Sequence, residues 1–212
     1  MADLANGYAD FADLDVATVY EASKLECAMD PAIGAVWDGA RVCGPAYPVM
    51  GHPGDNLWMH HAVQLAPAGS VIVATVGGHL AGYWGEVLAV AARAKRIAGL
   101  VIDGGVRDVD ALRTMGFPVF ARGVSVYRTG KHHHGTHARI VTVAGVPVAP
   151  GDLVLGDADG VLVLPQHTAR ATLVAARDRL ARETAAFSAL RGGVSTHEQF
   201  GLPGIPEPGT PA

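Results

Sequence analysis

Cysteine is scarce in this sequence. Cys27 and Cys43 are its only two among 212 residues, and no CxxC pair occurs. That excludes a disulfide scaffold and points to a reducing, cytoplasmic setting. Charge is thin as well, at 17% of residues, with a formal net charge of −4. The basic excess that marks most nucleic-acid binders is missing, so no nucleic-acid partner is expected. No apolar run approaches the ~18 residues that span a bilayer, so no membrane partner is expected either. The first residues, MADLANGYADFADLD, are acidic and lack the apolar stretch of a signal peptide. There is no GxGxxG after a strand, no P-loop, no nucleophile elbow and no HExxH. With no glycine-rich nucleotide loop to hold S-adenosylmethionine, methyl transfer is excluded too.

What is present is a core-forming composition. Half the residues are hydrophobic, and the 27 glycines and 13 prolines are scattered rather than repetitive. The length fits one domain over residues 15–190, with a lead-in at 1–14 and a Pro/Gly-rich tail at 191–212. Asp15 is placed to cap a helix over Val16 to Leu25. Arg41 to Met50 has β character, and its two prolines predict an edge strand or a bend. HPGDN, residues 52–56, is a tight turn whose Asp55 or Asn56 can cap a helix from Leu57 to Leu65. Val71 to Val76 is a continuous apolar run, as in a fully buried strand. Hairpin signals crowd residues 138–165, and a long helix closes the domain from Thr168 to Leu190. Strands separated by helices, followed by hairpins, predict a mixed α/β sandwich rather than a doubly wound sheet.

The chemistry concentrates in GYWGEVLAVAARAKRIAGLVIDGGVRD, residues 82–108. A glycine loop leads into a helix at Glu86, then a short strand over Leu100 to Ile102. A turn at Asp103-Gly104-Gly105 is expected next, its glycines supplying backbone angles closed to other residues. Arg107 and Asp108 follow at the head of another helix. Asp108 reads equally well as the plain cap of that helix, paired with Arg107. Glu86 tips the balance, since two carboxylates and a guanidinium on neighbouring loop ends suit a divalent metal and an anionic substrate. The helix start at Gly85, Glu86, Val87 and Leu88 offers free N–H groups for a carboxylate.

Other polar clusters read more plainly. Consecutive histidines cannot all face one ion, so KHHHGTH, with His132, His133, His134 and His137, is an exposed loop bordering the substrate entrance rather than a metal centre. His60 and His61 are half-buried helix residues. DADG at 157–160 is a β-turn without the remaining ligands of a calcium loop.

GYWGEVLAVAARAKRIAGLVIDGGVRDVDALRTMGFPVFARG, with PGDLVLGDADGVLVLP after it, resembles the RraA-like family over about residues 15–185. HPGDN and the YWGE-type loop resemble its 4-hydroxy-4-methyl-2-oxoglutarate and 4-carboxy-4-hydroxy-2-oxoadipate aldolase branch. The resemblance implies an α-β-β-α sandwich, with mixed sheets and helices on the outer faces. It implies trimers or paired trimers with active sites between subunits, and Mg²⁺ or Mn²⁺ as cofactor. By resemblance, Asp108 is the direct metal ligand and Glu86 holds the metal through water. Arg107 contacts the pyruvyl group, and Gly85 to Leu88 bind its carboxylate. Asn56 is a further substrate contact, and Glu183 on the closing helix is the candidate ligand for a neighbouring subunit's site. The implied reaction is class II aldol cleavage to pyruvate and a second keto acid, with oxaloacetate decarboxylation as a side activity. A non-enzymatic inhibitor of ribonuclease E is the alternative the family offers.

Overall fold

In the computed structural model, which describes residues 8–204, the strands are β1 (Gly34–Ala35), β2 (Val42–Met50), β3 (Val71–Thr75), β4 (Gly99–Val106), β5 (Val119–Val124), β6 (Thr136–His137), β7 (Val141–Val143), β8 (Val146–Val148), β9 (Leu153–Asp157) and β10 (Gly160–Leu164). The α-helices are α1 (Val16–Ser23), α2 (Leu57–Leu65), α3 (Glu86–Ala94), α4 (Val109–Met115), α5 (Ala169–Arg191) and α6 (Thr196–Phe200). Eight strands form one mixed sheet in the order β1-β5-β4-β3-β2-β9-β10, with β6 on β2, while β7 and β8 pair apart as a hairpin. Strands β2 to β5 run parallel, and β9 joins β2 antiparallel.

Side-chain alternation sets the layers. Successive residues of a strand face opposite ways. Ile72 and Ala74 of β3, with Leu100 and Ile102 of β4, enter one core with Trp58 and Met59 of α2, Leu88 of α3 and Leu112 of α4. The intervening Val71, Val73 and Val101 enter a second core with Val143 and Val148 of the hairpin and Val154, Val161 and Val163 of β9 and β10. The leucines of β9 and β10, Leu153, Leu155, Leu162 and Leu164, face a third core built with Val16 and Val19 of α1 and Ala169 and Ala176 of α5. β2 is shared, its first half pairing with β9 and its second with β3, so the one sheet makes two layers between outer helices, the predicted α-β-β-α order. β-branched valines fill the sheet-to-sheet gap, where short stiff side chains pack well. Tyr8, Phe11 and Leu14 are also in the third core.

Two local expectations fail for long-range reasons. β2 is not an edge strand, because it lies between β3 and β9. Its prolines fall where no ladder needs their missing N–H. Ala46 donates to the Asp152 carbonyl at 2.7 Å and accepts from Gly151, so Ala46 faces β9. Alternation then turns Pro45 toward β3, whose pairing begins only at Ala46. Pro48 turns the other way, where its carbonyl accepts the Ala138 N–H.

The stretch Asp103-Gly104-Gly105 is not a turn either. β4 continues to Val106, and its register with β5 slips between Ile102 and Gly105. A bulge of this kind re-aims the strand end. Neither glycine has a positive φ. They permit close approach instead: a Cβ on Gly105 would lie 2.5 Å from the Ala81 carbonyl oxygen, and one on Gly104 2.7 Å from Val76. Asp103 is buried beside Arg122, Nε to Oδ1 at 2.5 Å, and Arg122 also reaches Asp30.

Caps also move. Asp15 makes no side-chain cap to α1 and pairs with Arg41 instead. The α1 N–H at Val16 is taken by Asp157 of the β9–β10 turn, at 2.9 Å. α2 follows expectation, with Asp55 Oδ1 accepting the Leu57 N–H at 3.0 Å.

Candidate active site

The bulged end of β4 delivers Arg107 and Asp108 beside the start of α3. A bridge between Trp84 and Val106 and the bond from Arg107 N–H to the Trp84 carbonyl, at 2.8 Å, fix the two segments together. Asp108 sits at the head of α4 in the left-handed region, φ 59°, and makes no cap to that helix. Its Oδ2 instead accepts the Glu86 N–H at 3.0 Å, capping the neighbouring helix α3. The plain-cap reading of Asp108 therefore fails: the carboxylate serves another helix. Arg107 does lie next to it, Nε to Oδ2 at 3.7 Å.

Two glycines make room for this arrangement. A Cβ on Gly85 would stand 2.2 Å from Asp108 Oδ2 and 3.1 Å from Arg107 Cγ. One on Gly82 would stand 2.9 Å from Arg107 Cδ. The arginine side chain lies directly over bare backbone.

A cleft of about 180 Å³ opens here, lined by Asn56, His60, Gly82, Tyr83, Gly85, Val87, Leu88, Arg107, Asp108 and Lys131. One wall is Arg107-Asp108 with the first turn of α3. The first hydrogen bond within α3 runs from Ala89 to Gly85, and Asp108 takes the Glu86 N–H. The N–H groups of Val87 and Leu88 remain for a ligand. The facing wall comes from α2 and the histidine loop. Asn56 donates Nδ2 to the Tyr83 carbonyl at 3.1 Å, while its buried Oδ1 has no partner among the described residues. Tyr83 OH accepts the Gly54 N–H and meets His79 Nδ1 at 2.6 Å. Burial holds the His60 imidazole below its usual pKa, and the nearby Lys131 and His61 push the same way. His60 therefore faces the cleft as a neutral ring.

The predicted residues thus assemble in part. Arg107, Asp108, Asn56, Gly85, Val87 and Leu88 share one cleft. Glu86 does not line it; its backbone holds Asp108 while its side chain is solvent-exposed. Glu183 is elsewhere in this chain, on α5, where Arg179 bridges it to Glu21 of α1. His60 and Lys131 are additions. His60 lies one helical turn after Asn56, a spacing that places both on one face of α2. Lys131 carries no such local signal. Its loop reaches the cleft through the pairing of Gly130 with Asp55 and Asn56.

For a divalent cation the donor set is small. Among the described residues, no three His, Cys, Asp or Glu side chains converge on one point. Asp108 Oδ1 accepts no hydrogen bond among those residues, and it lies beside a cleft with Glu86 at its margin. One or two carboxylates and several waters suit Mg²⁺, which dehydrates reluctantly.

Comparison with known proteins settles the family. Residues 14–163 match the RraA-like model, described as Aldolase/RraA. This chain belongs to the RraA-like family. A Halalkalibacterium halodurans relative, provisionally named a 4-hydroxy-4-methyl-2-oxoglutarate aldolase, is 36% identical over 155 residues, which is 73% of this chain and 74% of the relative. An uncharacterized Pseudomonas syringae protein of known structure superposes with a TM-score of 0.83 at 28% identity, covering 90% of this chain and 91% of its own. The RNA-processing inhibitor RraA from Thermus thermophilis superposes at 0.61 with 30% identity, covering 66% of this chain and 85% of its own. The RraA-like core thus includes all the cleft residues. No helix of the described residues is long and apolar enough to cross a membrane.

Proposed function

We propose that this protein is a divalent-metal-dependent aldolase. Its substrate class is 4-hydroxy-2-oxo acids with a second carboxylate, such as 4-hydroxy-4-methyl-2-oxoglutarate or 4-carboxy-4-hydroxy-2-oxoadipate. One observation carries the reading: Asp108 is pinned to the start of α3 on one wall of the cleft, between a guanidinium and two free N–H groups. The Val87 and Leu88 N–H groups take the C1 carboxylate. Arg107 faces the 2-keto oxygen, where negative charge grows as the C3–C4 bond breaks and its electron pair enters the pyruvate enolate. Asp108, with Glu86 through water, would hold Mg²⁺ or Mn²⁺, which supplies a Lewis acid for that enolate. The 4-hydroxyl loses its proton to a water that Glu86 orients, and the enolate takes a proton to leave as pyruvate. Lys131 and neutral His60, across the cleft from Arg107, meet the distal carboxylate. Loss of CO₂ from oxaloacetate yields the same enolate and is the expected side activity.

The cleft is open on the side of Val87, which is 75% exposed. A second copy of the chain in a trimer or hexamer closes it in this reading, with its Glu183 as the added carboxylate. The two free cysteines fit a cytoplasmic enzyme. The deciding assay follows pyruvate release from a panel of 4-hydroxy-2-oxo acids and oxaloacetate, with Mg²⁺ or Mn²⁺ and with EDTA. Turnover should vanish with EDTA and in Asp108→Ala; metal-independent turnover, or a fully active variant, refutes the proposal. Likeness to the Thermus inhibitor motivates the alternative, a regulator of ribonuclease E. Co-purification with that ribonuclease, with no pyruvate from any substrate, would favour it.

A further inference from the structure

The histidine loop is held by ring contacts that the aldolase reading does not use. The His52 ring stacks on His133, centroids 4.2 Å apart and planes 12° from parallel. His61 of α2 stacks on His134 at 5.2 Å and 17°, and lies 6.1 Å from His137. His132 packs edge-on to His133. Backbone bonds secure the two ends of the segment: Gly130 to Gly54 and Asn56, the N–H groups of His132 and His133 to Asp55, and β6 to β2. The middle, His134 and Gly135, rests on the His61–His134 stack and on Trp58, which a Cβ at Gly135 would meet at 2.6 Å.

We propose that Gly130–His137 is a histidine latch: stacked rings hold the loop against α2 and keep Lys131 in the cleft, and protonation of His137 releases both. The proposal rests on the cleft reading above for the role of Lys131 alone.

The two stacks differ in what faces them. In the outer stack, His133 Nδ1 lies 3.6 Å from Asp55 Oδ2, and His52 Nδ1 faces the Pro53 carbonyl at 2.9 Å. A single positive charge there has a carboxylate beside it. The inner group is His61, His134 and His137, with Tyr47 of β2 against His137, and with His60, which has Lys131 near it, beside His61. Among the described residues no carboxylate pairs with any of the three. Both His137 ring nitrogens are buried and have no hydrogen-bond partner. An imidazolium there would have neither water nor a counter-charge, and a second on His61 would repel it. Burial, and then the proximity of His61, hold His137 below its usual pKa. The unfolded loop binds the proton first, so the closed loop is intact above the ordinary histidine pKa and lost as pH falls below it.

Amide hydrogen exchange of the full chain, without substrate, tests this at about pH 7.5 and about pH 5.5 after correction for intrinsic rates. Exchange over residues 130–137 should rise at least about tenfold in acid relative to β3 and β4. His137→Phe keeps the ring bulk and cannot titrate, so it should remove most of that rise, while His133→Phe should leave it in place. A loop whose relative exchange ignores pH, or a rise that survives His137→Phe in full, overturns the latch. Acceleration of β3 and β4 to the same extent overturns it as well, since the opening would then be global. Exchange is read without turnover, so failure of the aldolase assay and failure of the latch are separate results.

Discussion

Gly85→Ala isolates the feature on which the candidate site depends. Gly85 is extended, φ −165°, so alanine meets no backbone strain. Its Cβ would nevertheless lie 2.2 Å from Asp108 Oδ2. Reaching the shortest tolerable contact pushes the carboxylate back by about 0.8 Å, which breaks its bond to the Glu86 N–H. A hydrogen bond to a charged group contributes about 1.5–3 kcal/mol. The Asp108 side chain is 38% exposed, so solvent reduces that to about 1 kcal/mol of stability. For a chain of this size that lowers Tm by roughly 2–4 °C. Catalysis should lose far more, because a displacement near 1 Å at a reacting group costs about 10²-fold. The expected result is a folded protein, by thermal melt, with kcat/KM for pyruvate release down about a hundredfold. A variant within about threefold of wild type would show that Asp108 need not sit on α3. A variant that fails to fold would show that the glycine serves packing rather than the site.

Further outcomes follow from the same geometry. Lys131→Ala should raise KM for substrates with a distal carboxylate about tenfold with little change in kcat, a pattern steady-state kinetics separates directly. Arg122→Met leaves Asp103 buried without its guanidinium at the β4 bulge; urea unfolding should show a loss of about 2 kcal/mol, below the range for fully buried pairs because Arg122 is 25% exposed. Burial alone would raise the Asp55 pKa, but the N–H groups of Leu57, His132 and His133 outweigh it and hold the carboxyl below the usual range. Its contribution is present above the ordinary aspartate pKa and fades as pH falls through the lowered value. Asp55→Asn should therefore flatten the acid limb of the stability curve, measured by denaturant midpoints across pH.

The pattern of residues by itself determined most of the fold and one wall of the site. Apolar continuity marked β3, turn chemistry marked the β9–β10 hairpin, and the family motif placed Arg107 and Asp108 beside the start of α3. These signals are local, because periodicity and turn preference act over a few neighbours. Tertiary structure decided what depends on distant partners. Prolines read β2 as an edge or a bend, and only the sheet shows that it is central, with Pro45 and Pro48 facing away from the ladders that would need their N–H. A double glycine read as a turn, and only the Ala81 backbone passing over Gly105 shows that the strand runs on. Asp108 and Asp15 both read as caps of their own helices. The folded chain gives α3 the carboxylate of Asp108 and α1 that of Asp157, because a helix start takes the nearest acceptor in space. Lys131, 75 positions after Asn56, enters the cleft for the same reason: the pairing of Gly130 with Asp55 brings it there, and no local pattern announces such a bridge.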